Sequence, residues 1–292
     1  MVERVDFRDA IARNKRNSII LMVGIILVIV LLGYVISLVL EPGYFFIIMV
    51  VASIFSIFYV VISYYNSDKI AIASVGAKRA SESEHKEYYR VVEGMAIASG
   101  MPKPKLYVMP SQQINAFASG RDPKHAVVCV TEGALKKLDR KELEGVIAHE
   151  MGHVGNYDIR YMTLVAVAVG MVSIISQIFL RSLWFRGGGR NNKGNAILML
   201  IGIALAILAP IVVMFVQMAI SRKREYSADA TAVQYTRYPQ GLIGALKKIR
   251  DENQPEQKVN KAVAPLFFAN PFKGMGSTHP PIGKRISALE RM

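Results

Sequence analysis

Cysteine is nearly absent. Cys129 is the only one in 292 residues, which excludes an intramolecular disulfide framework and any all-cysteine zinc site, and is compatible with a reducing compartment. Histidine is scarce too, with five in the chain, so each can be weighed individually as a metal ligand. Charged residues make up only 20%, and acids are in shorter supply than bases, 22 against 36, leaving a formal net charge of +14. Against that scarcity stand 52% hydrophobic residues and a positive mean hydropathy. Such a chain is not disordered, and its polar and apolar residues must be segregated along the sequence. A membrane protein with basic aqueous parts fits.

Four uncharged apolar runs are present: Ser18 to Leu40, Gly43 to Tyr65, Tyr161 to Leu180 and Asn195 to Ile220. At about 1.5 Å rise per residue, a helix over even the shortest run reaches across the hydrocarbon core of a bilayer. The first is too long for a signal-peptide core and reads as a retained anchor, and Pro210 is expected to kink the fourth. Arg4, Arg8, Arg13, Lys15 and Arg16 precede the first run, whereas the Glu41-Pro42 turn has no basic residue. The positive-inside rule therefore places the N-terminus in the cytoplasm. Residues 66–160 return to that side, and Arg222, Lys223 and Arg224 mark a second cytoplasmic edge. One loop resists: residues 181–194 hold Arg181, Arg186, Arg190 and Lys193, a basic loop on the outer side, which leaves open a second hairpin that is tilted or spans incompletely. The segments before and after that hairpin share one side either way. Anionic lipid accounts for the basic charge, and with no recognition helix or stacking platform no nucleic-acid partner is expected.

The polar stretches read as α+β. An amphipathic helix is expected over 82–99, ended by Gly100-Met101-Pro102, followed by strands at Lys105 to Met109, Ile114 to Ala118 and Ala126 to Val130. Cys129 is then a strand residue, and His85 and His125 have structural readings. Asp139 with Glu142 is a capping-box start, and Leu143, Val146, Ile147 and Val154 continue at helical spacing, giving a helix from about Arg140 to Val154.

On that helix stands His149-Glu150-Met151-Gly152-His153, the zincin spacing. Two imidazoles one turn apart converge on one Zn²⁺, while Glu150 points about 100° away, wrong for a ligand and right for a general base acting on an activated water. A catalytic zinc needs a third protein ligand. The carboxylate candidate is Glu225, in Ser221-Arg-Lys-Arg-Glu-Tyr-Ser-Ala-Asp229 on the same side of the membrane. Asp229, one turn on, is placed to accept an N–H from an imidazole at the metal. The plainer alternative is that both acids only balance Arg222 and Arg224 at a headgroup boundary.

His149-Glu150-x-x-His153, then a membrane hairpin, then Ser-Arg-Lys-Arg-Glu-Tyr-Ser-Ala-Asp resembles the HtpX family of membrane zinc metallopeptidases, relatives of the CAAX prenyl proteases. Asn115-Ala-Phe-Ala118, Glu142-Leu-Glu-Gly-Val-Ile-Ala-His149 and Ser277-Thr-His-Pro-Pro-Ile282 also resemble that family's motifs, and the likeness covers nearly the whole chain. It implies one zinc per chain, Glu225 as third ligand, Asp229 as its support, and cleavage of membrane or misfolded proteins in quality control, including under stress. It further implies that Asn115 and His279 contact the substrate backbone or the tetrahedral intermediate. On the residues alone, Asn115 could equally be a turn residue and His279 could fix a Thr-His-Pro-Pro loop.

The expectation is a multi-pass α-helical membrane protein of about four spans with a cytoplasmic α+β zincin-type domain. Its parts are the tail and first hairpin (1–65), the domain's first part (66–160), the second hairpin (161–220) and the domain's second part (221–292). The Ile114 to Ala118 strand is a candidate edge for an extended, unfolded substrate. A prenyl-protein protease is the near competitor, although four runs are few for housing a prenyl chain. A zinc-stabilised scaffold or holdase without turnover belongs to another class, and an intact Glu150 between two histidines argues against it. No ionisable residue lies in the four runs, against a transporter. Nothing in the chain fixes an oligomeric state.

Overall fold

The structure is a computed structural model that describes residues 7–37, 45–166, 222–252, 266–269 and 280–292, with Gly43 and Gly202. Two helices open it, α1 (Phe7–Ser37) and α2 (Phe45–Tyr65). Stretches Ile11–Leu31 and Phe45–Tyr65 are long and apolar enough to cross a membrane. Their outward faces are apolar, with Phe46 75% and Phe58 62% exposed, a continuous surface that water does not tolerate and lipid does. Where the sequence suggested a basic tail ahead of Ser18, α1 already runs from Phe7: Asn14, Ser18, Leu21, Ile25 and Ile29 recur at helical spacing on its buried side and carry the helix past the apolar run. The third run is described only over 161–166, which continues a helical segment beginning at 158; the rest of it, the basic loop and the fourth run lie outside the described residues.

A short helix, α3 (Ser67–Ser74), leads into a four-stranded sheet of order β1-β2-β4-β3, with β1 Lys78–Arg79, β2 Lys105–Met109, β3 Ala116–Ser119 and β4 Val127–Thr131. β2 and β4 run parallel; β1 and β3 are antiparallel edges. Side chains alternate faces with period two. Leu106, Val108, Ala116, Ala118, Val128 and Val130 enter the main core. Met109, Phe117, Val127 and Cys129 turn to the other face, against Ala71, Ile72, Met162, Leu266 and Phe267. The last two strands start later than the sequence suggested. Thr131 N–H donates to Asn115 O at 3.0 Å, but the Asn115 N–H goes to Thr131 Oγ1 at 3.1 Å, so a side chain replaces half of the ladder pair just before Ala116.

Five more helices cover the inner face and extend it: α4 (Lys86–Ser99), α5 (Glu132–Lys137), α6 (Arg140–Gly155), α7 (Arg222–Thr236) and α8 (Pro239–Glu252); α9 (Ile282–Leu289) closes the described chain. α4 begins at Lys86 with His85 as its N-cap, because residues 82–84 form a turn, and it ends on Gly100 at φ +67°. α6 lies at the centre, packed by α4, α7 and α8. At Gly145 a Cβ would fall 2.5 Å from the Leu242 amide nitrogen, so glycine is what lets α8 cross there.

Candidate metal centre

The start of α6 sets the phase of the whole helix. Asp139 accepts the Glu142 N–H at 2.9 Å, Glu142 accepts the Asp139 N–H at 2.8 Å, and Lys248 of α8 reaches the same Glu142 carboxylate at 2.7 Å. Two turns on, His149 and His153 bring their Nε2 atoms within 3.1 Å, ring planes at 88°. Two ligands of one tetrahedral zinc, each at about 2.0–2.1 Å, stand roughly 3.3 Å apart. The pair has the spacing of ligands to a single ion.

α7 adds a carboxylate. A Cβ on Gly152 would meet Thr231 at 3.3 Å and the Ala228 backbone at 3.4 Å, and buried Ala148, Ala228 and Ala232 keep the seam thin. That close approach puts Glu225 3.8 Å from His149 Nε2 and 3.6 Å from His153 Nε2. Ligand atoms of the three residues lie within 4.8 Å of one another, a group that could hold a metal ion.

Behind each imidazole sits another acid. Asp229 is 2.9 Å from His149 Nδ1, and Asp158, which opens the helical segment just after α6, is 3.0 Å from His153 Nδ1. A carboxylate there keeps the proton on Nδ1 and turns the Nε2 lone pair inward. Arg285 Nη2 also lies 3.3 Å from His149 Nδ1, but its 2.6 Å bond to Asp229 carries it there. The shorter His149–Asp229 contact decides the tautomer.

Sequence reasoning missed Arg285 and Asp158. Arg285 is buried at 1% exposure, forks Asp229 through Nε at 2.9 Å and Nη2 at 2.6 Å, stands 3.4 Å from Glu225 and lies over the Phe268 ring at 4.7 Å. A lone arginine in a C-terminal amphipathic stretch reads as solvent face, so only the fold reveals it. Asp158 did have a chemical signal: the second histidine also needs an acceptor at Nδ1, and this is the first acid after it.

Glu150 stands apart from the three. It is buried, its carboxylate accepts the Ala118 backbone N–H, and Oε1 has no hydrogen-bond partner among the described residues. Leaving a buried acceptor unmade costs about 1–3 kcal/mol, and such exceptions concentrate where a reactant completes the site. Burial lifts the Glu150 carboxyl to about 7, with His153 pulling it down and Glu225 pushing it up. For His153 burial works downward, yet the Asp158 hydrogen bond and the Glu225 charge outweigh it and raise it to about 9. His149, desolvated and facing Arg285, falls to about 4. Asp229 is held below the usual carboxylate range: burial opposes this, and the Arg285 charge prevails.

The donor set fits a zinc ion. Two imidazole Nε2 atoms, with the His153 proton given up on metal binding, and one carboxylate would leave a fourth position for water, as catalytic zinc requires. Glu150, Asp158, Glu225 and Asp229 outnumber the neighbouring guanidiniums, Arg224 and Arg285, and a dication offsets the excess negative charge.

Asn115 is buried and spends its amide inside the chain. Oδ1 accepts from Ala269 N and Ala116 N, each at 3.0 Å, and Nδ2 donates to Ala269 O at 2.9 Å. Phe268 N–H donates to Ala116 O at 2.8 Å, Phe117 bridges Phe267, and the Phe268 ring meets His149 edge-on at 4.8 Å. The edge strand suggested by the sequence is thus at the sheet edge, with the chain's own 267–269 paired along it. His279 lies outside the described residues. His85 faces Ser81, His125 pairs with Asp122 at 2.8 Å, and burial pushes the Cys129 thiol up; none of these three joins the site.

Comparison with known proteins matches residues 82–292 to Peptidase family M48. A Protease HtpX homolog of Caldanaerobacter subterraneus subsp. tengcongensis is 47% identical over 239 residues, 79% of this chain and 80% of that protein. Another, from Dictyoglomus thermophilum, is 43% identical over 290 residues, 98% of this chain and 95% of that protein. Among solved structures, S. mikatae Ste24p is similar with a TM-score of 0.48 at 19% identity, covering 88% of this chain and 62% of that one.

Proposed function

Because the chain belongs to Peptidase family M48, it is a membrane metallopeptidase, and we propose that its His149, His153 and Glu225 hold one zinc beside Glu150 as the base. The reading rests above all on the convergence of those three ligand atoms within 4.8 Å, next to a buried carboxylate oxygen of Glu150 with no partner among the described residues. Bound zinc supplies Lewis acidity that activates water and polarises the scissile carbonyl. Glu150 takes the proton from the attacking water and returns it to the leaving amine; burial raises its affinity for that proton. Asp229 and Asp158 orient the two imidazoles. Asn115, which brackets the backbone of Ala269, is the group we assign to a substrate main chain along β3, and His279 is assigned to substrate or the tetrahedral intermediate. Unfolded segments of membrane or misfolded proteins are the substrates that such pairing admits, which suits quality control. The scaffold reading gives no reason for a buried acid placed beside the three-residue group with one oxygen left open.

Purified protein is expected to carry zinc at about one per chain, to lose casein hydrolysis on chelation and to regain it with Zn²⁺. Full turnover by a zinc-free preparation would remove the mechanism.

The proposed topology is four spans, the hairpins 1–65 and 161–220 flanking a domain assembled from 66–160 and 221–292 on the cytoplasmic side. The basic N-terminal segment and the meeting of α6 with α7 support it. In a Cys129→Ser background, exposed Glu84→Cys and Glu290→Cys should resist an impermeant thiol reagent in intact cells and react after lysis. Labelling of either from outside would reverse the assignment.

A further inference from the structure

The first turns of α1 reach the metal centre. Asn14 is buried, and its amide donates to the Asn156 carbonyl at 2.9 Å and to Asp158 Oδ1 at 2.7 Å. The other Asp158 oxygen, Oδ2, faces His153 Nδ1 at 3.0 Å. One carboxylate thus bridges an amide on the N-terminal helix and an imidazole of the site. The turn between them is tense: Tyr157 sits at φ +60°, a conformation uncommon for a bulky side chain that persists only where the surroundings enforce it. The enforcement comes partly from α1, since Lys15 lies over the Tyr157 ring at 4.4 Å, and partly from Arg160 in the following helical segment, at 5.4 Å from the same ring. Beyond Asn14 the same helix face is seated by Leu21, Ile25 and Ile29 against Val60, Tyr161, Leu164 and Val165. On the same face the Ser18 hydroxyl donates to the Asn14 main-chain carbonyl at 2.8 Å.

We infer that Asn14 is a positioning residue for the peptidase reaction: by fixing Asp158 and the turn that follows α6, it sets the orientation and metal affinity of His153. A hydrogen-bond donor suits the task. It stabilises the Asp158 carboxylate without competing for the metal, and it uses the oxygen that His153 does not. Arg224, 4.0 Å from Asp158, adds positive charge at the same carboxylate. The inference rests on His153 being a zinc ligand.

The test is zinc affinity by competition with a chromophoric chelator, together with kcat and KM, on full-length protein in detergent. Partners of metal-bound histidines typically change affinity or activity about 10–100-fold. Asn14→Ala should weaken zinc by about tenfold and lower kcat with KM little changed, and Asn14→Gln should recover part of both. Asp158→Asn should be at least as damaging, and adding Asn14→Ala to it should cost much less than in the wild type, because the amide acts mainly through that carboxylate and only its bond to Asn156 is left to lose. Ile25→Ala, which loosens the same helix away from the turn, should lower thermal stability and leave zinc affinity alone. Additive losses in the double variant, or an equal zinc defect in Ile25→Ala, would overturn the inference. His153→Ala separates the two levels. If it loses zinc while a normally inserted Asn14→Ala binds at wild-type affinity, only the role of Asn14 falls; if it keeps zinc in full, the metal assignment falls and this inference with it.

Discussion

Glu150→Gln is expected to keep its zinc and lose peptide hydrolysis by about 10²–10⁴-fold, the range of positioned general acid–base groups. Glutamine keeps the size of the side chain and an oxygen for the Ala118 N–H, so α6 and β3 have no reason to separate. It cannot take a proton. Because Glu150 lies outside the His149-His153-Glu225 group, chelator competition should give wild-type affinity. Zinc analysis and casein turnover on one preparation decide it. Substantial turnover by pure Glu150→Gln would mean that another group is the base, and zinc loss would mean that Glu150 is a ligand.

A second comparison sets Glu225→Gln against Asp229→Asn, two acids one turn apart on α7. Glu225→Gln removes an anionic ligand and should strip zinc under chelator challenge. The Glu225 carboxylate approaches the Nε2 atoms of His149 and His153 at 3.8 and 3.6 Å, where co-ligands of one ion stand, so zinc loss is the expected defect. Asp229→Asn should lower zinc affinity only about 10–100-fold, yet the metal-free protein should be less stable by about 3 kcal/mol, the low end for breaking a buried ion pair. Arg285 forks Asp229 at 2.6 and 2.9 Å, and the asparagine leaves that guanidinium with the more distant Glu225 as its acid. Equal zinc loss in both, or an unaltered melting temperature for metal-free Asp229→Asn, would show the two carboxylates exchanged in role.

What could be read from the sequence was local. The capping box, the two histidines one turn apart and the apolar runs depend on spacings within a few turns, and these survive folding because helix geometry is fixed. Glu225 was visible only as a carboxylate in need of a partner. Arg285, Asp158 and Asn14 become legible only once α1, the segment just after α6 and α9 meet around one imidazole pair. No periodicity encodes that meeting. The strand ends slipped for a similar reason: Asn115 looks like a strand residue by pattern, but Thr131 takes its N–H and Ala269 takes its amide.

The segment 267–269 along β3 changes the accounting for any peptide that docks there. Ala116 O and the Asn115 amide are already bonded to Phe268 and Ala269, so an incoming main chain exchanges hydrogen bonds and does not add them, and the net gain from pairing is close to zero. Backbone capture then contributes little to choosing between peptides. Discrimination passes to side chains, in particular to whatever replaces the Phe268 ring against His149, and tight binding by peptide length alone is not to be expected of this site.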